Sequence, residues 1–445
     1  MSILIRNARV IDPSRGHDKV ADIAVRNRRI AAIEPNLPQS DAEHTIDATG
    51  LIACPGLIDP HVHLREPGQT AKEDINSGSR AAVAGGFTTV CCMPNTAPAL
   101  DSPELVEWVR LKAEKSAHCR VFPVAAATKD RAGQQITEIN LCKNAGAVAI
   151  SDDGDVVENP QIMQQVLQAC KNADLAFMQH CQQPELTINA SMHDGTVSAR
   201  LGLVGWPPVA EEIIIERDIR LNKNIHARYH IQHLSSAGSV EIIKRAQTEN
   251  KPISAEASPH HIALTHDACA LPDGNSYNTN AKMNPPLREQ ADRDSIIEAI
   301  AQGIINILAT DHAPHTNEEK AQPFESAPFG IIGLESALAI YIQTLIKPDI
   351  INWPRLIEML TINPAKLCNL DRPHLGDDAL GQLAVGSLAD ITIIDPHLQW
   401  TLSTDTLAGK STNTPFLGQS MTGRAVCTIV NGTIKHTIKP AIKAK

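Results

Sequence analysis

The sequence predicts a (β/α)8 barrel carrying a small β-sandwich built from both chain ends, and three observations carry that expectation. Through the middle of the chain, eight short apolar runs alternate with amphipathic helical stretches. Short β-like runs bracket that middle at both ends. Histidine or aspartate recurs at the C-terminal ends of five of the eight runs. Short strands with no alternating polar face fit a parallel sheet buried on both sides. In a barrel of this kind the chemistry sits where those strands end.

Size and composition bound the rest. At 445 residues the chain exceeds the usual single-domain size, so one large domain and one smaller one are expected. Hydrophobic residues at 42% and charged residues at 20% describe a globular protein and exclude a disordered one. A net charge of -10 argues against a general nucleic-acid binder. No window approaches the ~20 apolar residues of a membrane span, and no charged-then-apolar leader follows Met1, so a cytoplasmic protein is expected. Ten cysteines occur without a C-x-x-C pattern and read as buried, reduced side chains.

Residues 1–56 alternate β-like runs (3–11, 23–25, 29–33, 45–46) with turns such as Asp12-Pro13-Ser14-Arg15-Gly16. A similar signature returns over 381–395 and 425–436. The expected organisation is therefore a small sandwich from 1–56 plus 378–438 and a barrel over 57–377. The lysine-rich end, 435–445, reads as a solvated tail. Expected barrel strands are 51–64, 87–93, 120–127, 147–153, 175–181, 227–234, 253–258 and 304–310. Helical stretches at 72–84, 103–115, 160–172, 238–248 and 291–301 lie between them, and an insertion is expected around 192–208.

Strand 1 ends in Asp59-Pro60-His61-Val62-His63-Leu64-Arg65. Side chains two residues apart share a strand face, so His61 and His63 can present two imidazoles to one metal, with Arg65 continuing that face. Strand 4 ends in Asp152-Asp153, strand 5 in His180, strand 6 in His233, and strand 8 in Asp311-His312-Ala313-Pro314-His315. Four histidines and two aspartates from five strands suit a binuclear site. No lysine lies in 147–154 to bridge two metals, so Asp152 or Asp153 must do so. Periodicity does not choose between them. His312, His260 and His261 read as packing or supporting residues, and 316–326 reads as a polar loop over the site.

With these residues stated, the sequence resembles the dihydroorotases of the long, class I type in the amidohydrolase superfamily. The marks are Asp59-Pro60-His61-Val62-His63-Leu64-Arg65-Glu66-Pro67-Gly68, Met93-Pro94-Asn95-Thr96, Ser151-Asp152-Asp153-Gly154, Met283-Asn284-Pro285-Pro286-Leu287-Arg288, Thr310-Asp311-His312-Ala313-Pro314-His315 and Ala327-Pro328-Phe329-Gly330. The resemblance implies His61, His63, Asp153, His180, His233 and Asp311 as ligands of two divalent ions, zinc by preference, and Asp311 as the catalytic residue. It implies substrate contacts from His63, Arg65, Asn95, Asn284, His315, Phe329 and Gly330. The implied reaction is reversible cyclisation of N-carbamoyl-L-aspartate to dihydroorotate in pyrimidine synthesis. A homodimer and association with aspartate transcarbamoylase are the implied partnerships. The competing readings are a hydantoinase or allantoinase, which resemble the same barrel but typically bridge with the lysine missing here, and a non-catalytic partner of the transcarbamoylase.

Overall fold

The computed structural model describes residues 2–38, 42–249, 252–375, 378–438 and 442–444. All eight expected barrel strands form one parallel sheet: β1 (Leu57–Val62), β2 (Phe87–Cys92), β3 (Arg120–Ala125), β4 (Ala149–Ile150), β5 (Ala176–Gln179), β6 (Tyr229–Ile231), β7 (Ile253–Ala257) and β8 (Ile307–Leu308). Neighbours in sequence are neighbours in the sheet. The ring is completed just beyond β8, where Val62 bridges His312 in parallel register and the His63 N–H donates to the His312 carbonyl at 2.9 Å.

A helix follows each strand: α1 (Ile75–Gly85), α2 (Pro103–Ser116), α3 (Ile139–Ala145), α4 (Pro160–Ala173), α5 (Val209–Asn222), α6 (Ala237–Thr248), α7 (Gln290–Ala301) and α8 (Ala337–Tyr341), the last continued by a π-turn over Ile342–Ile346. Their starts carry the residues that fill open backbone N–H groups. Asp74 and Ser77 make a reciprocal capping pair at α1, and Ser102, Asn159 and Ser236 accept from the first turns of α2, α4 and α6. The buried face of α4 is Met163, Val166, Leu167 and Cys170, the i, i+3, i+4, i+7 stripe that binds a helix to a barrel wall. The insertion expected after strand 5 is a short helix, Thr196–Leu201, flanked by the paired strands Met192–His193 and Gly205–Trp206.

The chain ends build a second sheet of nine described strands. Its central join is Ile52–Pro55, which lies parallel to Ser2–Asp12 and antiparallel to Ile391–Thr401. The sheet branches at Ser2–Asp12, which also pairs with His44–Asp47. Its apolar core combines residues such as Ile3, Ile5, Val10 and Ile23 with Ile391, Ile393 and Ile429. The 435–445 stretch differs from a free tail. Thr433–Thr437 and Ile442–Ala444 are strands, the latter paired antiparallel with His44–Asp47 through backbone that needs no apolar side chain. Residues 439–441 and 445 of that stretch lie outside the described residues.

The two parts meet along α1. Thr392 Oγ1 donates to the Gly86 carbonyl at 2.6 Å and Thr428 Oγ1 to the Val83 carbonyl at 2.7 Å. Gly86 has φ +96°, and a Cβ there would lie 2.9 Å from both Ala425 Cβ and Thr392 Cγ2, so the contact requires glycine.

Candidate metal centre and substrate cavity

The C-terminal ends of β1, β4, β5 and β6 and the loop after β8 deliver His61, His63, Asp153, His180, His233 and Asp311 to one buried cluster. His61 Nε2 lies 3.3 Å from Asp153 Oδ1 and 3.5 Å from Asp311 Oδ1. His63 Nε2 lies 3.0 Å from Asp311 Oδ1 and 3.5 Å from Asp153 Oδ2. His180 Nδ1 is 3.0 Å from His233 Nε2 and 3.7 Å from Asp153 Oδ1. Two overlapping donor sets result, His61 with His63 and Asp311, and His61 with Asp153 and His233. Their separations bracket the ~3.4 Å edge of a tetrahedron with bonds of about 2.1 Å to a central ion.

What stands behind the imidazoles fits divalent cations. His61 Nδ1 lies 2.5 Å from Glu256 Oε1, His63 Nδ1 2.8 Å from Asn95 Oδ1, and His180 Nε2 3.1 Å from Gln182 Oε1. With its hydrogen donated to an acceptor behind it, each ring turns a lone pair toward the cluster. Asp153 Oδ1 is buried without a hydrogen-bond partner among the described residues, a costly state for a carboxylate oxygen unless a cation meets it. Where a ring proton faces the carboxylates in place of an ion, burial still opposes charge on Asp311, but attraction to protonated His61 and the hydrogen bond from His63 outweigh it and hold the carboxyl well below the usual range. Glu256 is likewise brought down, to about 2, by His61 and by hydrogen bonds with His230 and His61 acting against burial.

The two strand-4 aspartates part ways. Asp153 faces the cluster, whereas the Asp152 carboxylate accepts from the Ala127 and Thr128 N–H groups at 2.8 and 3.0 Å and from the Thr128 hydroxyl. Three residues of the site hold left-handed backbone without being glycine: Arg65 at φ +58°, His233 at +30° and Asp311 at +46°. Such conformations persist only where surroundings over-determine them.

A cavity of about 300 Å³ opens on the cluster, lined also by Arg65, Asn95, Asn284, His315, Phe329 and Gly330. Every substrate-contact candidate from the sequence therefore borders one space. Arg65 Nε donates to the Pro314 carbonyl at 3.1 Å and Nη2 reaches His315 Nε2 at 3.3 Å. Burial lowers the guanidinium to about 10, which leaves it cationic near neutral pH, and burial together with the Arg65 charge pushes His315 down to about 2. Asn284 Oδ1 is buried without a partner among the described residues. A larger cavity, about 750 Å³, lies between Ile262, Ile297, Ile340 and Phe416 and contains none of these groups.

His312 packs against the site: its Nδ1 accepts from the Gly333 N–H at 3.2 Å, and Nε2 lies 3.8 Å from Glu73. His261 bonds to Ser258 and the Pro285 carbonyl. A further cluster, His193 with His266 and Glu289, is ill suited to a metal. Arg288 Nη1 lies 3.3 Å from His193 Nδ1, so that nitrogen is an acceptor and Nε2, 3.8 Å from Glu289, carries the hydrogen.

Comparison with known proteins decides the family. Residues 50–239 match the family model described as dihydro-orotase-like. Curated proteins named Dihydroorotase from Solibacter usitatus and Endomicrobium trichonymphae are each 44% identical, over 98% of this chain and 98% and 99% of theirs. The chain belongs to the dihydroorotase family. Solved structures of an L-hydantoinase (dihydropyrimidinase) from Arthrobacter aurescens and a dihydropyrimidinase from Brevibacillus agri share the dihydroorotase chain's fold. Their TM-scores are 0.84 and 0.83, each at 23% identity over 99% of this chain and 97% of theirs. Dihydroorotases and hydantoinases are cyclic amidohydrolases, and this dihydroorotase-family chain is an enzyme of that kind that uses divalent metal.

Sequence reasoning missed several residues that shape the dihydroorotase site. Glu256, which joins His61 to His230, was detectable as a lone carboxylate inside an apolar strand. Asn413 is 1% exposed, accepts from the His315 N–H at 3.0 Å and donates to the Ala313 and Gly330 carbonyls at 3.0 and 3.1 Å. Nothing local in the sequence marks it, since its partners lie 83 to 100 residues away.

Proposed function

We propose that the protein catalyses the reversible, metal-dependent interconversion of N-carbamoyl-L-aspartate and dihydroorotate, a cyclisation step of pyrimidine biosynthesis. The observation that carries the reading is one cavity of about 300 Å³ bordered both by His63, Asp153, His180, His233 and Asp311 of the cluster and by Arg65, Asn284, His315, Phe329 and Gly330. A substrate with a carboxylate at one end and a cyclic amide at the other fits such a space.

His61, His63, Asp153, His180, His233 and Asp311 would hold two ions, with zinc favoured by the imidazole and carboxylate donors. When bound, such ions lower the pKa of water from ~15.7 to ~7 and polarise a carbonyl, so a nucleophile is present at neutral pH. Asp311 takes the proton of the attacking water and passes it to the leaving ring nitrogen as the C–N bond breaks. In the closing direction it accepts the proton of the attacking nitrogen. Arg65 and His315 orient the substrate carboxylate, and Asn284 and the Phe329-Gly330 backbone fix the ring.

Residues 1–56 and 378–438 act as one supporting unit and 57–377 as the catalytic one; the apolar core drawn only from the chain ends supports that division. Ten buried, unpaired cysteines suit the reducing cytoplasm. Homodimerisation and association with aspartate transcarbamoylase belong to the same proposal, and light scattering of the protein alone and mixed with the transferase decides both. The activity itself is tested by offering the purified, metal-analysed enzyme dihydroorotate, carbamoyl aspartate, hydantoin and allantoin. Turnover confined to the first two is expected; turnover of hydantoin or allantoin in their place would overturn the reading.

A further inference from the structure

Two lysines beside the cavity are buried without an acid partner. Lys282 is 2% and Lys320 4% exposed, and among the described residues neither forms an ion pair with a carboxylate. Their ammonium groups are instead bound by backbone. Lys282 Nζ donates to the carbonyls of Phe324 at 2.6 Å, Glu325 at 3.0 Å and Ala327 at 2.7 Å. Three carbonyls match the three N–H bonds of an ammonium group, whereas a neutral amine has only two to give. The same nitrogen sits 4.4 Å from the centre of the Phe329 ring. Lys320 Nζ donates to the carbonyls of Pro328 at 2.9 Å and Gly330 at 3.1 Å.

These acceptors all belong to residues 324–330, the turn that brings Phe329 and Gly330 to the cavity wall. The Gly330 N–H also donates to the Lys282 carbonyl at 2.9 Å, so Lys282 grips the turn by backbone and side chain. Its sequence neighbours Met283 and Asn284 line the same cavity. Gly330 has φ +140°, and a Cβ there would approach the Ala313 carbonyl oxygen to 2.8 Å, so the turn has little room to settle elsewhere. The charge is what an apolar side chain could not replace. Methionine would fill the volume of either lysine yet leave several inward-pointing carbonyls without a donor.

We propose that Lys282 and Lys320 are positioning residues, buried cations that gather the carbonyls of the 324–330 turn and so hold Phe329 and Gly330 in place against the substrate. Burial lowers their basicity, Lys282 to about 8 and Lys320, which also feels the Lys282 charge, to about 7, and the carbonyl acceptors work against that fall by favouring the ammonium form. The proposal rests on the reading of Phe329 and Gly330 as substrate contacts.

The test uses the full-length, metal-loaded enzyme and the variants Lys282→Met, Lys320→Met and Gly330→Ala, with metal content, melting temperature and steady-state kinetics on dihydroorotate for each. The expected result for the two lysine variants is unchanged metal content and a KM raised about tenfold or more, with kcat within about threefold of the parent. A folding defect at the more deeply buried Lys282 leaves Lys320→Met to carry the measurement. A normal KM in folded, metal-replete lysine variants, with Gly330→Ala impaired, would show that the turn meets substrate without help from the lysines and would overturn the proposal. A normal KM in all three would remove the turn from the substrate site, and the proposal would fall with that reading.

Discussion

Glu256 never reaches the cavity, yet it governs how His61 meets it. Its carboxylate accepts from His61 Nδ1 and, at 2.9 Å, from His230 Nε2, which fixes the ring so that Nε2 faces Asp153 and Asp311. Glu256→Gln keeps the size and removes the charge, and is expected to weaken metal retention about 10- to 100-fold against a competing chelator. Arg65→Met removes a buried cation from the cavity wall. The expected loss is about one to two orders of magnitude in kcat/KM with metal content unchanged, the equivalent of ~1.5–3 kcal/mol for a charged hydrogen bond. Asp311→Asn should cost more, at least ~10²-fold in kcat with metal still bound, because it removes the proposed proton carrier as well as a charge. Near-normal turnover of that variant would rule out Asp311 in the role. At this scale the sequence was most informative where polar residues interrupt apolar runs. His61, His63, His180, His233 and Asp311 each lie at or just past the end of an apolar run, so position alone singled them out. Choosing Asp153 over Asp152 needed the structure or the family, since adjacent residues differ only in the face they take. Lys282 and Asn413 were invisible because their partners are backbone carbonyls tens of residues away.

At the scale of elements, the segment between the last two long strands of the terminal sheet reaches back to the barrel. Residues 408 and 409 donate their N–H groups to Glu335, at 2.8 and 3.2 Å to Oε1, and Ser411 Oγ donates to the Lys72 carbonyl at 2.7 Å. Burial raises Glu335 from the ordinary glutamate value to about 7, against the two N–H groups and Arg424, with Glu73 adding to the rise. The folded state thus keeps a proton that the unfolded chain has released above about pH 4.5, and this group's contribution to stability falls as pH rises from there to about 7. Glu335→Gln is therefore expected to raise the melting temperature at pH 8 and leave it unchanged at pH 4. The opposite order in paired thermal melts would refute this account of the docking. Element boundaries were less legible than element order. β4 and β8 are paired over only two residues each, against the seven expected at 147–153 and 304–310, because the backbone leaves the ladder for the site-bearing loops that carry Asp153 and Asp311. Within 316–326 the α-turn Asn317–Lys320 is capped by Thr316 and Glu319, and its last residue, Lys320, is buried.

Across the whole molecule, net charge is negative while the proposed substrate is an anion. Net repulsion fades beyond a Debye length of ~8 Å, while the contact proposed for Arg65 is a direct one, so on that reading the global charge of -10 does not decide binding. The fold class was legible because eight apolar runs and two β-rich ends are properties of the full chain, unmoved by errors at any boundary. The branch of the terminal sheet at Ser2–Asp12 and the return of 402–419 to the barrel were not, since both depend on pairings between distant segments. No helix among the described residues is long and apolar enough to cross a membrane. The account's central claim is that six side chains hold the ions on which cyclic-amide chemistry depends. Its most direct test is metal analysis and dihydroorotate turnover on one preparation, before chelation, after it, and after zinc is restored. The account predicts close to two metals per chain, activity lost with them and regained on restoration; full turnover by metal-free protein would contradict it.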